Sequence, residues 1–360
     1  MLLIPHSRRL IHLNLCRLLV YCFIFLPSTV CLVETESHVR ARLIPSLKDV
    51  VEMARLSKIV YDFKGKNETY CDSFQLNEVR CHWYHHDKGV GTQVLLVSNI
   101  RAAYIAVVYA GTDDLRTSLE DADIFMKPFG NNRTIRVENQ AVKVHAGFNN
   151  AIFTNGLWDE ISSRLEALIR DYPHYQVWTT GHSLGAANSI LTAVALAKEG
   201  HSVASINFGC PQTGNEAWYK FVNSLPNTKI WRVVLGWDLV ARMPDLFWHV
   251  GHTLQIWGEN HHKYDKLSPD NVEAYYQHYG NSSLGLAGVP PGWWAKPYAW
   301  IPGALSSHFV EKYLDNLLGL YKENKWVSAF RPVETSLDDD EWANPPDDEY
   351  RLNEFRENEY

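Results

Sequence analysis

Apolar runs alternate with helical patterns through most of this chain, and this alternation predicts an α/β fold with a mostly parallel central sheet flanked by helices. Two stretches carry the prediction. The run AAYIAVVYAGT (102–112) is almost continuously apolar or small, as expected of a strand buried on both faces. The short strand YQVWTT (175–180) leads through a glycine-containing turn into a helix rich in small residues, LGAANSILTAVALAKEG (184–200).

The remaining elements follow from periodicity and stop signals. Helices are predicted for residues 47–63 and 306–321, and strands for residues 92–99, 202–209, 229–236 and 252–257. Residues 148–173 are predicted to form one helix that ends at Pro173. Its apolar stripe consists of Leu157, Ile161, Leu165 and Leu168.

The two ends of the chain differ from its body. Arginines precede the apolar run LLVYCFIFLPSTVCLV (18–33), which is short for a bilayer span of about 20 residues. Residues 1–33 are therefore interpreted as a signal peptide, with a retained membrane anchor as the alternative. Residues 334–360 are predicted to be an acidic disordered tail. The folded domain is expected to occupy residues 41–330.

The net negative charge of the protein comes from that tail. From Asp338 onward, ten acidic residues and two arginines give a net charge of −8, so the rest of the chain carries +1 of the total −7. A nearly neutral body offers no basic face for nucleic acid, and no nucleic-acid partner is expected. We find no metal-ligand cluster and no phosphate-binding glycine loop, so we expect no metal and no other cofactor.

Cysteines and sequons agree with export. Cys71 and Cys81 lie close together in a polar stretch and could form a disulfide in an oxidising compartment, whereas Cys210 follows a strand and is expected to be a buried thiol. Asn-x-Ser/Thr sequons mark three candidate glycosylation sites, at Asn67, Asn132 and Asn281.

The segment Gly181-His182-Ser183-Leu184-Gly185 lies between a strand and a helix, which is the setting of a nucleophile elbow. A serine on so tight a turn needs small residues two positions before and after it, and glycine stands at both. Ser183 is therefore the candidate nucleophile. The oxyanion is expected to be bound by the N–H of Leu184 and by Thr112, which follows a strong strand.

A nucleophilic serine needs a base and an orienting acid, in the chain order Ser, Asp or Glu, His. Asp238 is the preferred acid because it follows the apolar strand that starts at Lys229; Asp245 is the rival. His308, at a loop-to-helix junction, is the preferred base and His249 the second choice. The other histidines considered are His252, His261, His262 and His278.

Six motifs in one order resemble the fungal-type (class 3) lipase family of α/β-hydrolases over about residues 47–325. They are YAGTDD, VHAGFNNAI, GHSLGAA, FGCPQTGN, WRVVLGWDLVARMPD and SSHFVEKYL, the last resembling a terminal H-x-x-Y pattern. The resemblance implies a Ser183–Asp238–His308 triad, an oxyanion role for Thr112 and structural roles for His145 and His249. The sequence departs from the family at Tyr109-Ala110, Gln212 and Ala241-Arg242.

The resemblance implies a carboxylic ester hydrolase similar to triacylglycerol lipases, and the predicted signal peptide implies that it is secreted. The segment that corresponds to the family's lid, between Thr112 and His145, is polar and acidic, which favours a feruloyl-type or other short-chain esterase as an alternative. Its candidate lipid-facing residues are Leu115, Leu119, Ile124, Phe125, Met126 and Phe129. Trp293, Trp294 and Trp300 form a candidate lipid interface or else pack on the body. An inactive lipid-binding protein is the remaining alternative. The sequence does not indicate an oligomeric state.

Overall fold

The computed structural model describes residues 45–67, 69–76, 78–112, 125–131, 134–236, 238–244, 247–256 and 306–322. Within them, eight strands form one sheet in the order β1-β2-β3-β4-β9-β10-β11-β12. The first four are β1 (Gln75–Leu76), β2 (Val79–Asp87), β3 (Thr92–Asn99) and β4 (Tyr104–Tyr109), paired antiparallel. The others are β9 (Gln176–His182), β10 (Val203–Phe208), β11 (Thr228–Leu235) and β12 (His252–Ile256). From β4 to β12 every pairing is parallel.

Helices cover both faces of this sheet. Helix α1 (Leu47–Asp62) and helix α5 (Leu184–Lys198) approach neighbouring residues of β9. Thr180 lies 3.0 Å from Ser57 of α1, oxygen to oxygen, whereas Thr179 donates to the Ser189 carbonyl of α5. Because successive strand residues point to opposite faces, α1 and α5 lie on opposite sides of the sheet. The predicted α/β-hydrolase architecture, a mostly parallel sheet flanked by helices, is confirmed.

The smaller elements complete the layers. Five further helices lie in the described residues: α2 (Tyr70–Ser73), α3 (Ala146–Phe153), α4 (Leu157–Asp171), α6 (Glu216–Asn223) and α7 (Val310–Lys322). Two short antiparallel pairs link β5 (Met126–Pro128) with β8 (Lys143–His145) and β6 (Arg136–Val137) with β7 (Gln140–Ala141). The predicted apolar stripe of α4 is buried in one core cluster with residues of β3, β4 and α5.

The prediction of a single helix over residues 148–173 is wrong. The chain forms α3 and α4, with a break at Thr154–Gly156. Asn155 and Gly156 adopt left-handed conformations with φ of 62° and 77°, which an α-helix cannot contain. The apolar residues on both sides of the break favoured one continuous helix, although the Asn-Gly pair between them is a turn signal.

Strand β2 was missed because its sequence, VRCHWYHHD, is polar for a strand. Cys81, Trp83 and Tyr84 of this strand are nevertheless buried. Cys71 and Cys81 form a disulfide, so α2 is tied to this strand. Cys210 is a buried free thiol, as expected. In the part of the chain described here, no helix combines the length and apolar character needed to cross a bilayer.

Candidate active site

The turn at Ser183 has the strained geometry that its sequence predicts. Ser183 has φ 60° and ψ −128°, outside the regions that most residues occupy. The two flanking glycines are required sterically. A Cβ on Gly181 would lie 2.5 Å from the carbonyl carbon of Gly185, and one on Gly185 would lie 2.5 Å from the Tyr109 carbonyl oxygen. The strand, turn and helix therefore pack too closely for any other residue at these two positions.

Asp238 and His308 meet beside this turn although 70 residues separate them. Asp238 follows β11, and its side chain is completely buried. Nδ1 of His308 lies 2.9 and 2.8 Å from the two carboxylate oxygens. This contact fixes the tautomer, because the carboxylate accepts the Nδ1–H and Nε2 is left with its lone pair.

The carboxylate of Asp238 is held as an anion. Burial by itself raises its pKa, but the charge of His308 and the hydrogen bonds from His308 and Tyr313 outweigh burial and bring the pKa below its ordinary value. The Tyr313 hydroxyl donates to Oδ2 at 2.5 Å, and the Val240 N–H donates to Oδ1 at 2.9 Å. An ionised acid in contact with Nδ1 can stabilise an imidazolium at His308.

Two reactive atoms of this cluster have no partner among the described residues. They are Oγ of Ser183 and Nε2 of His308, both inaccessible to solvent. The two are not hydrogen bonded to each other in this structure. An unpartnered buried hydroxyl and an unpartnered imidazole nitrogen are unusual, because buried polar groups are normally satisfied. Free groups of this kind are what a nucleophile and a base require, and such pairs often tighten only when substrate is bound.

The candidate oxyanion residues come from two parts of the chain. Leu184 is the first residue of α5, so its N–H has no acceptor within the helix. In the loop after β4, Gly111 packs against the elbow: a Cβ there would lie 2.8 Å from the Ser183 Cβ. Thr112 comes next in the chain and is half-buried.

His249 and His145 make contacts of their own, and four of the alternative acids and bases lie outside the described residues. His249 is buried, and its Nε2 donates to the Ala241 carbonyl at 2.8 Å. His145 caps α3 by accepting the Gly147 N–H and packs on Phe148, with ring centroids 4.4 Å apart. These contacts fit the structural roles expected of both. Outside the described residues lie Asp245, His261, His262 and His278.

Three residues of the site were missed by sequence reasoning. Tyr313 lies five positions after His308, not three as the H-x-x-Y comparison suggests. Gly209 (φ 58°) contacts the acid and the base, and a Cβ there would lie 2.7 Å from Asp238 Oδ2. Tyr61, on α1, lies 2.8 Å from Nδ1 of His182, the residue before the serine. No local motif signals this last pair, because 121 residues separate its members.

The remaining predicted features are only partly visible. In the lid segment, Phe125 is exposed and Phe129 is buried in a core cluster with Trp218, so Phe129 does not face lipid. Asn67 is exposed, and its side chain accepts a hydrogen bond from Thr69 of the same sequon. Leu115, Leu119, Ile124, Asn132, Asn281 and the three tryptophans, Trp293, Trp294 and Trp300, lie outside the described residues. Among the described residues, no group of three or more His, Cys, Asp or Glu side chains could hold a metal ion.

The sheet, the elbow and the helices on both faces define an α/β-hydrolase. Residues 106–248 match the family model described as Lipase (class 3), so this part of the chain is similar to the fungal-type class 3 lipases. The resemblance predicted from the six motifs is thereby confirmed.

Named relatives and solved structures agree with this family. The chain is 31% identical over 169 residues to the secreted mono- and diacylglycerol lipase LIP4 of Malassezia restricta, covering 42% of this chain and 55% of that protein. It is 29% identical over 185 residues to LIP1 of Malassezia globosa, a lipase of the same description, covering 49% and 60%. The match thus spans little more than half the length of each relative.

A triacylglycerol lipase from Penicillium expansum is 25% identical with a TM-score of 0.51, covering 59% of this chain and 80% of that chain. A lipase from Rhizopus microsporus var. chinensis is 22% identical with a TM-score of 0.50, covering 58% and 74%, and supports the fold alone.

Proposed function

We propose that this protein is a secreted serine hydrolase that cleaves carboxylic esters of glycerol through an acyl-enzyme. One observation carries the proposal: Ser183 Oγ and His308 Nε2 are buried without partners, while Nδ1 of the same histidine is held by the ionised Asp238. Burial without partners destabilises the folded state, so this arrangement is better explained by catalysis than by stability.

The reaction uses these groups in order. Ser183 Oγ attacks the ester carbonyl and gives its proton to His308 Nε2, while Asp238 stabilises the imidazolium. The N–H groups of Thr112 and Leu184 bind the oxyanion of the tetrahedral intermediate. The imidazolium then protonates the leaving alcohol. A water molecule, activated by the same histidine, attacks the acyl-enzyme and releases the carboxylic acid and free Ser183.

The relatives favour acylglycerols as substrates. The two curated relatives cited above are named as mono- and diacylglycerol lipases, and the structural neighbour with 25% identity is named as a triacylglycerol lipase. We propose that this chain hydrolyses mono- or diacylglycerol. The relatives' names do not favour the feruloyl-type alternative, and it becomes an arm of the test.

The proposal extends to the cellular setting. The relatives are named as secreted, and the disulfide between Cys71 and Cys81 is compatible with an oxidising compartment. We propose cleavage of a signal peptide within residues 1–33 and N-glycosylation at Asn67, Asn132 and Asn281. The catalytic domain would occupy residues 41–330 and the acidic tail residues 334–360.

The deciding experiment measures release of fatty acid from emulsified mono-, di- and triolein, and of ferulate from a feruloyl ester, by the wild type and by Ser183→Ala. We expect hydrolysis of the partial glycerides that disappears in the variant. Hydrolysis confined to the feruloyl ester would support the esterase alternative. Equal rates for wild type and variant on every substrate would exclude catalysis by Ser183 and leave the lipid-binding alternative.

A further inference from the structure

A chain of hydrogen bonds lies next to the candidate site and joins four separate parts of the sequence. The Gly111 N–H donates to the Tyr61 hydroxyl at 2.9 Å, and this hydroxyl lies 2.8 Å from Nδ1 of His182. Nε2 of His182 lies 2.5 Å from the carbonyl oxygen of His308. Tyr61 belongs to α1, outside the region 106–248 that matches the lipase family model.

The direction of every bond in this chain is determined by chemistry. A carbonyl oxygen can only accept a hydrogen bond, so Nε2 of His182 carries a proton and donates a hydrogen bond to the His308 carbonyl oxygen. Burial, followed by the charge of His308, lowers the pKa of His182 to about 3, so the ring is neutral and Nδ1 is an acceptor. Tyr61 must then donate to Nδ1, and its oxygen is free to accept the Gly111 N–H.

This chain of hydrogen bonds ends at the two parts of the site that must be aligned for catalysis. At one end, Gly111 packs against Ser183 and precedes Thr112, the candidate oxyanion donor. At the other end, the main chain of His308 is held, and its ring lies 4.6 Å from that of His182, centroid to centroid. The bond to Gly111 fixes the peptide next to the one that carries the Thr112 N–H.

We propose that Tyr61 and His182 are positioning residues that hold the oxyanion loop at Gly111–Thr112 and the base His308 in register with Ser183. Neither residue is hydrogen bonded to Ser183 Oγ or to His308 Nε2, and both act by fixing the backbones that carry these atoms. The inference rests on the proposed ester hydrolysis. Loss of alignment affects the transition state more than substrate binding, because the oxyanion exists only in the transition state and the intermediate.

The test is Tyr61→Phe, which removes one hydroxyl and keeps the ring. The matched control is Tyr84→Phe: Tyr84 is buried in β2, and its hydroxyl donates to Gln93 at 3.0 Å. Each variant is assayed on monoolein, with kcat expressed per active site titrated by a fluorophosphonate probe. We expect kcat of Tyr61→Phe to fall about tenfold or more, with little change in KM and a melting temperature close to that of Tyr84→Phe.

A kcat for Tyr61→Phe equal to that of the wild type, or lowered equally in Tyr84→Phe, would overturn the inference. His182→Gln, which keeps a donor for the His308 carbonyl, provides a second test in combination with Tyr61→Phe. We expect the loss in kcat of the double variant, expressed as a free energy, to be smaller than the sum of the losses of the two single variants. Additive losses would contradict a shared chain of hydrogen bonds. Failure of the proposed function is distinguishable, because wild type and Ser183→Ala would then have equal rates.

Discussion

Tyr313 and Asp238 are joined by a short hydrogen bond, with 2.5 Å between the hydroxyl and Oδ2. The same hydroxyl accepts the N–H of Leu235, the last residue of β11, at 3.1 Å. Burial, followed by the charge of Asp238, raises the pKa of Tyr313 well above its usual value, so this residue is a neutral donor. The base therefore lies two residues before helix α7, and the residue that orients the acid lies in the first turn of that helix.

Removing the Tyr313 hydroxyl is expected to weaken both the fold and the activity. Tyr313→Phe leaves Asp238 with one donor fewer and the Leu235 N–H without its acceptor, which is expected to cost about 1–3 kcal/mol of unfolding free energy. We expect kcat to fall about tenfold because the carboxylate is less firmly oriented. Urea unfolding and ester hydrolysis measure the two effects. An unchanged kcat per titrated active site would show that Tyr313 serves stability alone.

Local sequence patterns predicted the parallel half of the sheet and the elbow because the physical requirement is local. Strands buried on both faces are mostly apolar, and the sequence of β4, YIAVVY, is the clearest example. The elbow needs glycine two positions before and two positions after Ser183, because any side chain there would collide with neighbouring backbone. This requirement can be read from five consecutive residues of the sequence. The positions of Asp238 and His308 were predicted from chain order, from their places after a strand and at a loop-to-helix junction, and from the family resemblance.

Long-range contacts account for what the sequence did not reveal. Tyr61 and His182 are 121 positions apart, and nothing near Tyr61 distinguishes it from other apolar positions of α1. Gly209 resembled an ordinary strand-end glycine, and its proximity to Asp238 and His308 depends on the pairing of β10 with β11. Strand β2 was hidden because its histidines interrupt the apolar pattern, whereas its pairing with β3 satisfies the backbone.

Adding one methyl group at Gly209 is expected to abolish activity. The new Cβ of Gly209→Ala would lie 2.7 Å from Asp238 Oδ2 and 2.9 Å from His308 Nδ1, so the acid and the base must move apart. Gly156→Ala is the matched control, because Gly156 also has a positive φ but no heavy atom within 4 Å of the added Cβ. Both variants carry about 1 kcal/mol of backbone strain, and only the first should lose ester hydrolysis. Equal activities would show that the acid–base contact tolerates displacement.

Reduction of the disulfide is expected to affect stability without affecting catalysis. Cys71 and Cys81 close a loop with a sequence separation of 10, and their bond ties α2 to β2, at the antiparallel edge of the sheet. The double variant Cys71→Ser/Cys81→Ser is expected to lose about 2–3 kcal/mol of unfolding free energy because the unfolded chain gains freedom. Its kcat on monoolein at 25 °C should equal that of the wild type. A lower kcat at full folding would indicate that β2 influences the site.

Buried neutral histidines are expected to make the protein unstable in mild acid. Burial, followed by the charge of Arg232, lowers the pKa of His252 to about 4 and that of His249 well below its ordinary 6.5. Below pH 6.5 the unfolded chain therefore binds protons that the folded chain does not, and each such histidine can add up to about 1.4 kcal/mol of lost stability per pH unit. We expect the unfolding free energy of the wild type to fall from pH 6.5 to 4. In His249→Gln, whose amide can still donate to the Ala241 carbonyl, the fall should be shallower, because one proton-binding site of the unfolded chain is gone. Urea unfolding at half-unit pH steps measures both slopes, and identical slopes would mean that His249 is protonated in the folded protein as readily as in the unfolded one.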